Sequence, residues 1–227
     1  MEDQKQIPTY RVHYFTGYGR GDCIRMLLTH AKVDWEDVYY TPEQFYEAKM
    51  SGKLEFKQLP LLEYQGKFYS QTQAILRLLG NQLGYYPQDP YEAYKVDSIM
   101  DFITDFMQAR FKANNHPDPV QKKILLTVFC EVFLPKFFTY LQERLKSSAK
   151  IQTSQYFSHQ YIAGGEKISI ADFGLAGLAY SFFYNENHVQ YSQFKEIVQQ
   201  FPLLDSYFQA LGEELKEYLD KRQKSTW

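Results

Sequence analysis

Thr9-Tyr10-Arg11-Val12-His13-Tyr14-Phe15-Thr16-Gly17-Tyr18-Gly19-Arg20-Gly21 is the stretch on which the fold turns. Its first seven residues alternate and are rich in β-branched and aromatic types, which suits a strand. The glycines at 17, 19 and 21 then break that pattern and make a loop. Directly after it Ile24, Leu27, Leu28 and Ala31 recur at helical spacing, so the loop feeds a helix with one buried face. Trp35 to Tyr40 reads as a second strand, giving β-α-β.

Downstream, Thr41-Pro42-Glu43-Gln44 combines a capping residue, a proline at the first helical position and a glutamine three residues after the cap. The helix it starts should end near Gly52. Pro60–Tyr64 and Lys67–Ser70 flank Gln65-Gly66 and predict an antiparallel hairpin. A further helix opens at Ser70 or Gln71 and carries Ala74, Ile75, Leu78 and Leu79 on one face. Residues 1–83 therefore read β-α-β-α-β-β-α.

Residues 84–90, GYYPQDP, gather two prolines and a glycine and mark a linker. Beyond it every periodic segment is helical: 91–114, 119–147 with Pro135 expected to kink or split it, 168–184, and shorter pieces to about 222. The expected fold class is α/β plus all-α, with residues 91–227 forming an all-helical second domain.

With 25 basic and 27 acidic side chains the chain carries no strong field, which argues against nucleic acid and anionic membrane surfaces as partners. The start MEDQKQIPTY lacks the basic and apolar regions of a signal peptide, and no uninterrupted apolar run reaches the roughly 18 residues of a membrane span. The expectation is a cytoplasmic protein. Two cysteines, Cys23 and Cys130, give neither a CxxC pair nor a metal-ligand spacing, so no metal is expected.

Four local signals bear on chemistry. Tyr14, ending the first strand, can set its hydroxyl over the adjoining loop and donate to an anion held there. Leu59-Pro60 at the mouth of a strand would, if cis, turn the Leu59 backbone outward toward an extended ligand. Gln71 and Thr72 sit at a helix start, where free N–H groups favour a carboxylate. Ser169 and Asp172, flanked by Ile168 and Phe173, form a capping pair with a hydrophobic staple, a structural nucleus.

Taken together, the run from Tyr14-Phe15 to Arg20-Gly21, then Ile24-Arg25, Leu59-Pro60-Leu61-Leu62-Glu63, Ser70-Gln71-Thr72-Gln73-Ala74-Ile75 and the 168–173 capping motif resemble the glutathione S-transferase superfamily, the sigma class in particular. The resemblance implies a thioredoxin-like domain that binds glutathione as co-substrate and a helical domain that shapes a site for a small hydrophobic electrophile. It also implies a homodimer. Tyr14 then matches the catalytic tyrosine that holds the glutathione thiolate, and Arg20 the arginine that supports it. Phe45 and Lys49, with Lys53 as the alternative lysine, match residues at the glycyl end; Lys57, Gln58 and Leu59 precede Pro60; Gln71 and Thr72 hold the γ-glutamyl carboxylate.

Asp105 matches an aspartate that reaches the partner subunit's glutathione, although Asp97, Asp101 and Asp105 also make a solvated acidic stripe. Phe15, Tyr18, Met107 and Phe111 are the candidate walls for the second substrate. The sequence departs from the family at Phe45, where a tryptophan is usual, at Lys57-Gln58 in place of Gly-Lys, and at Thr104 in place of an acid. Two other functions stay open by this resemblance: a glutathione-dependent isomerase like prostaglandin D synthase, and a non-catalytic crystallin or ligand carrier. Cys23 is a competing nucleophile by analogy with relatives that form mixed disulfides.

Overall fold

The structure is a computed structural model that describes residues 9–148 and 161–226. The polar start at residues 1–8 and the final Trp227 lie outside the described residues. β1 (Tyr10–Tyr14) pairs in parallel with β2 (Trp35–Tyr39), with Tyr10 opposite Trp35, and antiparallel with β3 (Leu61–Tyr64). β3 pairs antiparallel with β4 (Lys67–Ser70), so the strand order is β2-β1-β3-β4. Gln65 and Gly66 both have positive φ, 51° and 72°, the mirror-image turn that matches strand twist in a two-residue hairpin.

Between these strands lie α1 (Asp22–His30) and α2 (Pro42–Met50), and α3 (Thr72–Leu83) follows the hairpin. The capping expected at Thr41 is present in both directions: the Gln44 N–H donates to the Thr41 hydroxyl and the Thr41 N–H to the Gln44 side chain, at 3.2 and 2.9 Å. This is the thioredoxin-like order read from the sequence.

The remainder is helical: α4 (Pro90–Asn114), α5 (Pro119–Val128), α6 (Leu134–Ser148), α7 (Ile170–Leu178), α8 (Tyr191–Val198), α9 (Pro202–Glu214) and α10 (Lys216–Lys221). A π-helical turn at Phe129–Phe133 joins α5 to α6 immediately before Pro135. Proline has no N–H to return to the carbonyl one turn back, and the wider turn keeps the chain helical across that gap. By length and composition, Pro119–Ser147 could cross a membrane, a test that core helices also pass. Its residues Phe129, Cys130, Leu134, Phe137, Phe138 and Leu141 are buried in the core.

One continuous core joins the sheet layer to the helices, running from Val12, Leu27, Leu28 and Ile75 to Met100, Phe106, Phe138, Phe173 and Phe208. The abundant phenylalanines explain themselves here: the Phe106 ring meets those of Phe129, Phe137 and Phe183 at 5.4, 5.0 and 5.9 Å. A smaller cluster of Tyr14, Ala48, Leu54, Leu59 and Leu61 includes Ala48 of α2.

α1 and α7 touch closely because Gly177 has no side chain; a Cβ there would lie 2.9 Å from the Cys23 Cβ. The segment between α3 and α4 is also tied on both sides. The Tyr85 carbonyl accepts from Ile170 N–H at 3.0 Å, and its hydroxyl meets His30 Nδ1 at 2.8 Å.

α7 opens as the sequence suggests. The Ser169 N–H and hydroxyl both donate to Asp172 Oδ2, at 2.8 and 2.7 Å, while Asp172 Oδ1 accepts from Ile162 N–H and the Tyr207 hydroxyl. Burial raises the Asp172 pKa, and these four donors oppose the shift. The motif is structural, as its buried setting requires.

Candidate functional site

Tyr14 closes β1 with only 7% of its surface exposed, its ring lying across the Gly19–Gly21 turn. A Cβ at Gly19 would stand 2.7 Å from the phenol oxygen, and one at Gly21 2.7 Å from the ring. Side chains at either position would drive the ring away, and Gly19 in addition has φ +42°. The glycines that break the strand pattern are thus what seats the phenol.

The Tyr14 oxygen accepts a hydrogen bond from the Arg20 backbone N–H at 3.1 Å. Its proton has no acceptor among the described residues, and accepting one bond makes a hydroxyl a better donor in the other. Burial pushes the phenol pKa up, with the Arg20 N–H and the charges of Arg20 and Arg25 opposing in part. Tyr14 therefore keeps its proton at neutral pH and acts as a donor rather than a base.

Arg25 organises the loop from beneath. Its guanidinium donates to the Gly17 and Phe15 carbonyls at 2.8 and 3.1 Å, pairs with Asp37 at 2.7 Å, and lies 5.7 Å from the Tyr14 ring centroid. The other support comes from the opposite end of the chain. Arg222 contacts the fully buried Asp22 carboxylate at 2.5 Å, stacks on the Tyr18 ring at 3.7 Å, and donates to the Tyr180 carbonyl. Asp22 also accepts from the Tyr218 hydroxyl.

Beside this loop a crevice of about 210 Å³ opens between α1, α3, α4 and α7. Arg20, Gln71, Thr72 and Met107 line it, together with Gln73 and Gln108. Gln71, at the helix start, adopts φ 72° and ψ 112° and makes no capping hydrogen bond with its side chain. A non-glycine residue in so sparsely populated a conformation costs about 1–3 kcal/mol and marks a place where the surroundings dictate the backbone. The first N–H groups of α3 are thereby left for a negatively charged group, which fits a carboxylate.

Leu59–Pro60 is a cis peptide, and the Leu59 side chain is buried beneath α2. Lys57 and Gln58 are exposed just before it. Phe45 packs edge-on against Phe15 at 5.3 Å, and Phe15 lies 5.5 Å from Tyr14, so these rings form a continuous wall. Lys49 leans over Phe45 at 6.0 Å, whereas Lys53 leans over Tyr40 and Phe68.

The sequence-derived set does not all converge. Tyr14 sits behind Gly19 and Arg20 rather than on the crevice wall. Tyr18 is buried against the C-terminal Arg222 and accepts from the Ser225 N–H at 3.1 Å. Phe111 is 65% exposed and lines no part of the crevice, while Met107, one helical turn earlier, does. Asp105 is exposed on α4; Asp97 and Asp101 are both tied to Arg77, at 2.7 and 3.7 Å.

Cys23 also lines the crevice, but burial and the neighbouring Asp22 charge push its thiol up to about 12. The thiolate is the reactive form, so this shift disfavours Cys23 as a nucleophile at physiological pH. Maleimide treatment of the native protein at pH 7.5 is expected to leave Cys23 unmodified, as peptide mass spectrometry would show; rapid stoichiometric labelling would contradict this. Among the described residues, no group of three or more potential metal ligands occurs.

Arg25 and the Asp22–Arg222 pair were not singled out as site-supporting residues by sequence reasoning. Arg25 left a signal, a charged residue inside the apolar run of α1; the distant pair left none.

Comparison with known proteins bears on this geometry directly. The profile "Glutathione S-transferase, N-terminal domain" matches residues 10–81, and "Glutathione S-transferase, C-terminal domain" matches residues 100–222. A glutathione S-transferase of Anopheles gambiae is 27% identical over 219 residues, covering 95% of this chain and 98% of the mosquito protein. Among solved structures, the sigma class enzyme of Fasciola hepatica is 26% identical with a TM-score of 0.74, covering 97% of this chain and 99% of that one. The prostaglandin synthase D of Nilaparvata lugens superposes with a TM-score of 0.79 at 24% identity, covering 95% and 99%. That likeness concerns the fold. The two profile matches between them span the loop that seats Tyr14, the uncapped start of α3 and the buried capping motif of α7, and the chain belongs to the glutathione S-transferase family.

Proposed function

We propose that this chain is a glutathione transferase of the sigma type that joins the glutathione sulfur to small hydrophobic electrophiles. The observation that carries the reading is the Tyr14 hydroxyl, held by the Arg20 N–H with its own proton free to be donated. Residues 1–83 bind glutathione, 84–90 link, and 91–227 shape the electrophile site. The enzyme works in the cytoplasm as a homodimer in which Asp105 reaches the partner's glutathione amine.

Gln71, Thr72 and the free N–H groups of α3 take the γ-glutamyl carboxylate. Leu59, before Pro60, pairs with the cysteinyl backbone, and Lys57 and Gln58 flank it. Phe45 packs on the glycyl end without the N–H of an indole, and Lys49 supplies the cation. The lean of Lys49 toward Phe45 supports it over Lys53.

A free thiol has pKa about 8.5, so only a few per cent is thiolate at neutral pH. A charge-assisted hydrogen bond of about 1.5–3 kcal/mol from Tyr14 lowers it by one to two units, at about 1.4 kcal/mol per unit. The thiol proton leaves to solvent, the thiolate attacks the electrophile, a sulfur–carbon bond forms and the leaving group departs. Arg20 adds a positive field, and Met107 and Phe15 wall the electrophile.

The test is glutathione-affinity capture followed by a panel of aryl halides, peroxides and a prostaglandin endoperoxide. Capture with aryl-halide conjugation is the expected result. Turnover of the endoperoxide alone would make the chain an isomerase, and capture without any turnover a carrier.

A further inference from the structure

A recess of about 320 Å³ lies in the helical domain between α5 and the start of α8, and shares no lining residue with the glutathione crevice. Lys122, Lys123 and Thr127 of α5 line it together with Gln190 and Gln193, and no acid does. Among the described residues neither lysine takes part in an ion pair. The volume falls in the range of small-molecule sites, roughly 300–1,000 Å³.

Behind Gln190 stands a cation without a counter-ion. Arg110 of α4 is only 8% exposed, its Nη1 has no hydrogen-bond partner among the described residues, and no acid there pairs with it. Buried charges are ordinarily paired, and here the rings of Phe129, Phe182 and Phe194, at 5.6, 5.8 and 5.8 Å, offset only part of the cost. Arg110 Nη2 donates to the Gln190 side chain at 2.9 Å. A guanidinium has no lone pair to offer, so the atom it meets is the amide oxygen, and the Gln190 NH2 is turned the other way. That NH2 finds only long contacts, to Gln193 Oε1 at 3.4 Å and Cys130 Sγ at 3.6 Å. Gln190 is also the N-cap of α8, where its side chain makes no capping bond, so the first N–H groups of that helix stay uncapped.

We infer that this recess is an anion site for a phosphate group carried by a small soluble molecule. Lys122 and Lys123 supply mobile charge, the Gln190 amide and the start of α8 supply donors, and Arg110 supplies a fixed positive field from beneath. Three cations exceed what one carboxylate would balance, so a phosphate, close to a dianion at neutral pH, is the better match. The site reaches beyond the transferase reading and does not depend on it.

Calorimetric titration of the full chain with inorganic pyrophosphate at low ionic strength is expected to show one saturable site, retained when glutathione is saturating. Replacing both lysines, Lys122→Ala with Lys123→Ala, should weaken it at least fivefold with the melting temperature retained. Gln190→Glu gives Arg110 the anion it lacks and removes the amide donor, so it should raise the melting temperature and abolish pyrophosphate binding. Absence of saturable binding, displacement by glutathione, or unaltered binding in either folded variant would each overturn the proposal. So would sedimentation with phosphatidic acid vesicles in place of pyrophosphate binding, which would make the ligand a lipid surface.

Discussion

Tyr14→Phe is expected to cut turnover of an activated aryl halide at least tenfold, about 1.4 kcal/mol in the barrier, while glutathione affinity stays within a few-fold. The ring is what Gly19 and Gly21 accommodate, and phenylalanine preserves it. Only the hydroxyl is lost. With it goes the proposed donor to the sulfur, and the Arg20 N–H is left without the oxygen it now donates to at 3.1 Å. A loss confined to affinity would mean that the phenol binds ligand without stabilising the anion. Steady-state kinetics with a direct binding titration separates the two, and unchanged turnover would remove Tyr14 from the mechanism.

Arg222→Ala should lower the unfolding free energy by about 3 kcal/mol, the lower end of the cost of breaking a buried ion pair. The arginine is 11% exposed and its partner Asp22 is fully buried. Burial raises the Asp22 pKa, and the Arg222 charge is the largest influence opposing that rise. Tyr218 donates to the same carboxylate, and Arg25 stands farther off at 3.8 Å, so neither replaces the lost cation.

Because a carboxylate with a raised folded-state pKa favours folding in its protonated form, the variant's deficit should shrink as pH falls through that pKa and grow as pH rises. Urea denaturation at several pH values checks this. A second change, Asp22→Asn, should recover part of the loss in the arginine-free background; a deficit independent of both pH and Asp22 would refute the ion-pair explanation.

The elements that position the site were legible because their signals are short. The alternation of residues 9–15, the Thr41-Pro42-Gln44 cap and the Gln65-Gly66 turn each occupy a few neighbouring positions, and the structure realises each of them. Pro60 is cis, the state that would make Leu59 useful.

What the sequence could not supply is direction in space. Met107 and Phe111 are four apart on one helix and read alike, yet one lines the crevice and the other projects from it. Tyr18 is a candidate substrate wall by sequence, as one of the aromatic side chains near the site. It is instead the platform for an arginine more than two hundred positions away, a contact that leaves no trace in any local window.

That distance matters when the chain is made. The Asp22 carboxylate lies early in the sequence, but the guanidinium that pairs with it lies 200 residues later, and the amide of Ser225 that meets Tyr18 later still. A ribosome-bound chain can pair its strands long before either arrives. Until then Asp22 lacks its nearest cation and Tyr18 its platform partner, so this catalyst should ripen only after the last helix has left the exit tunnel.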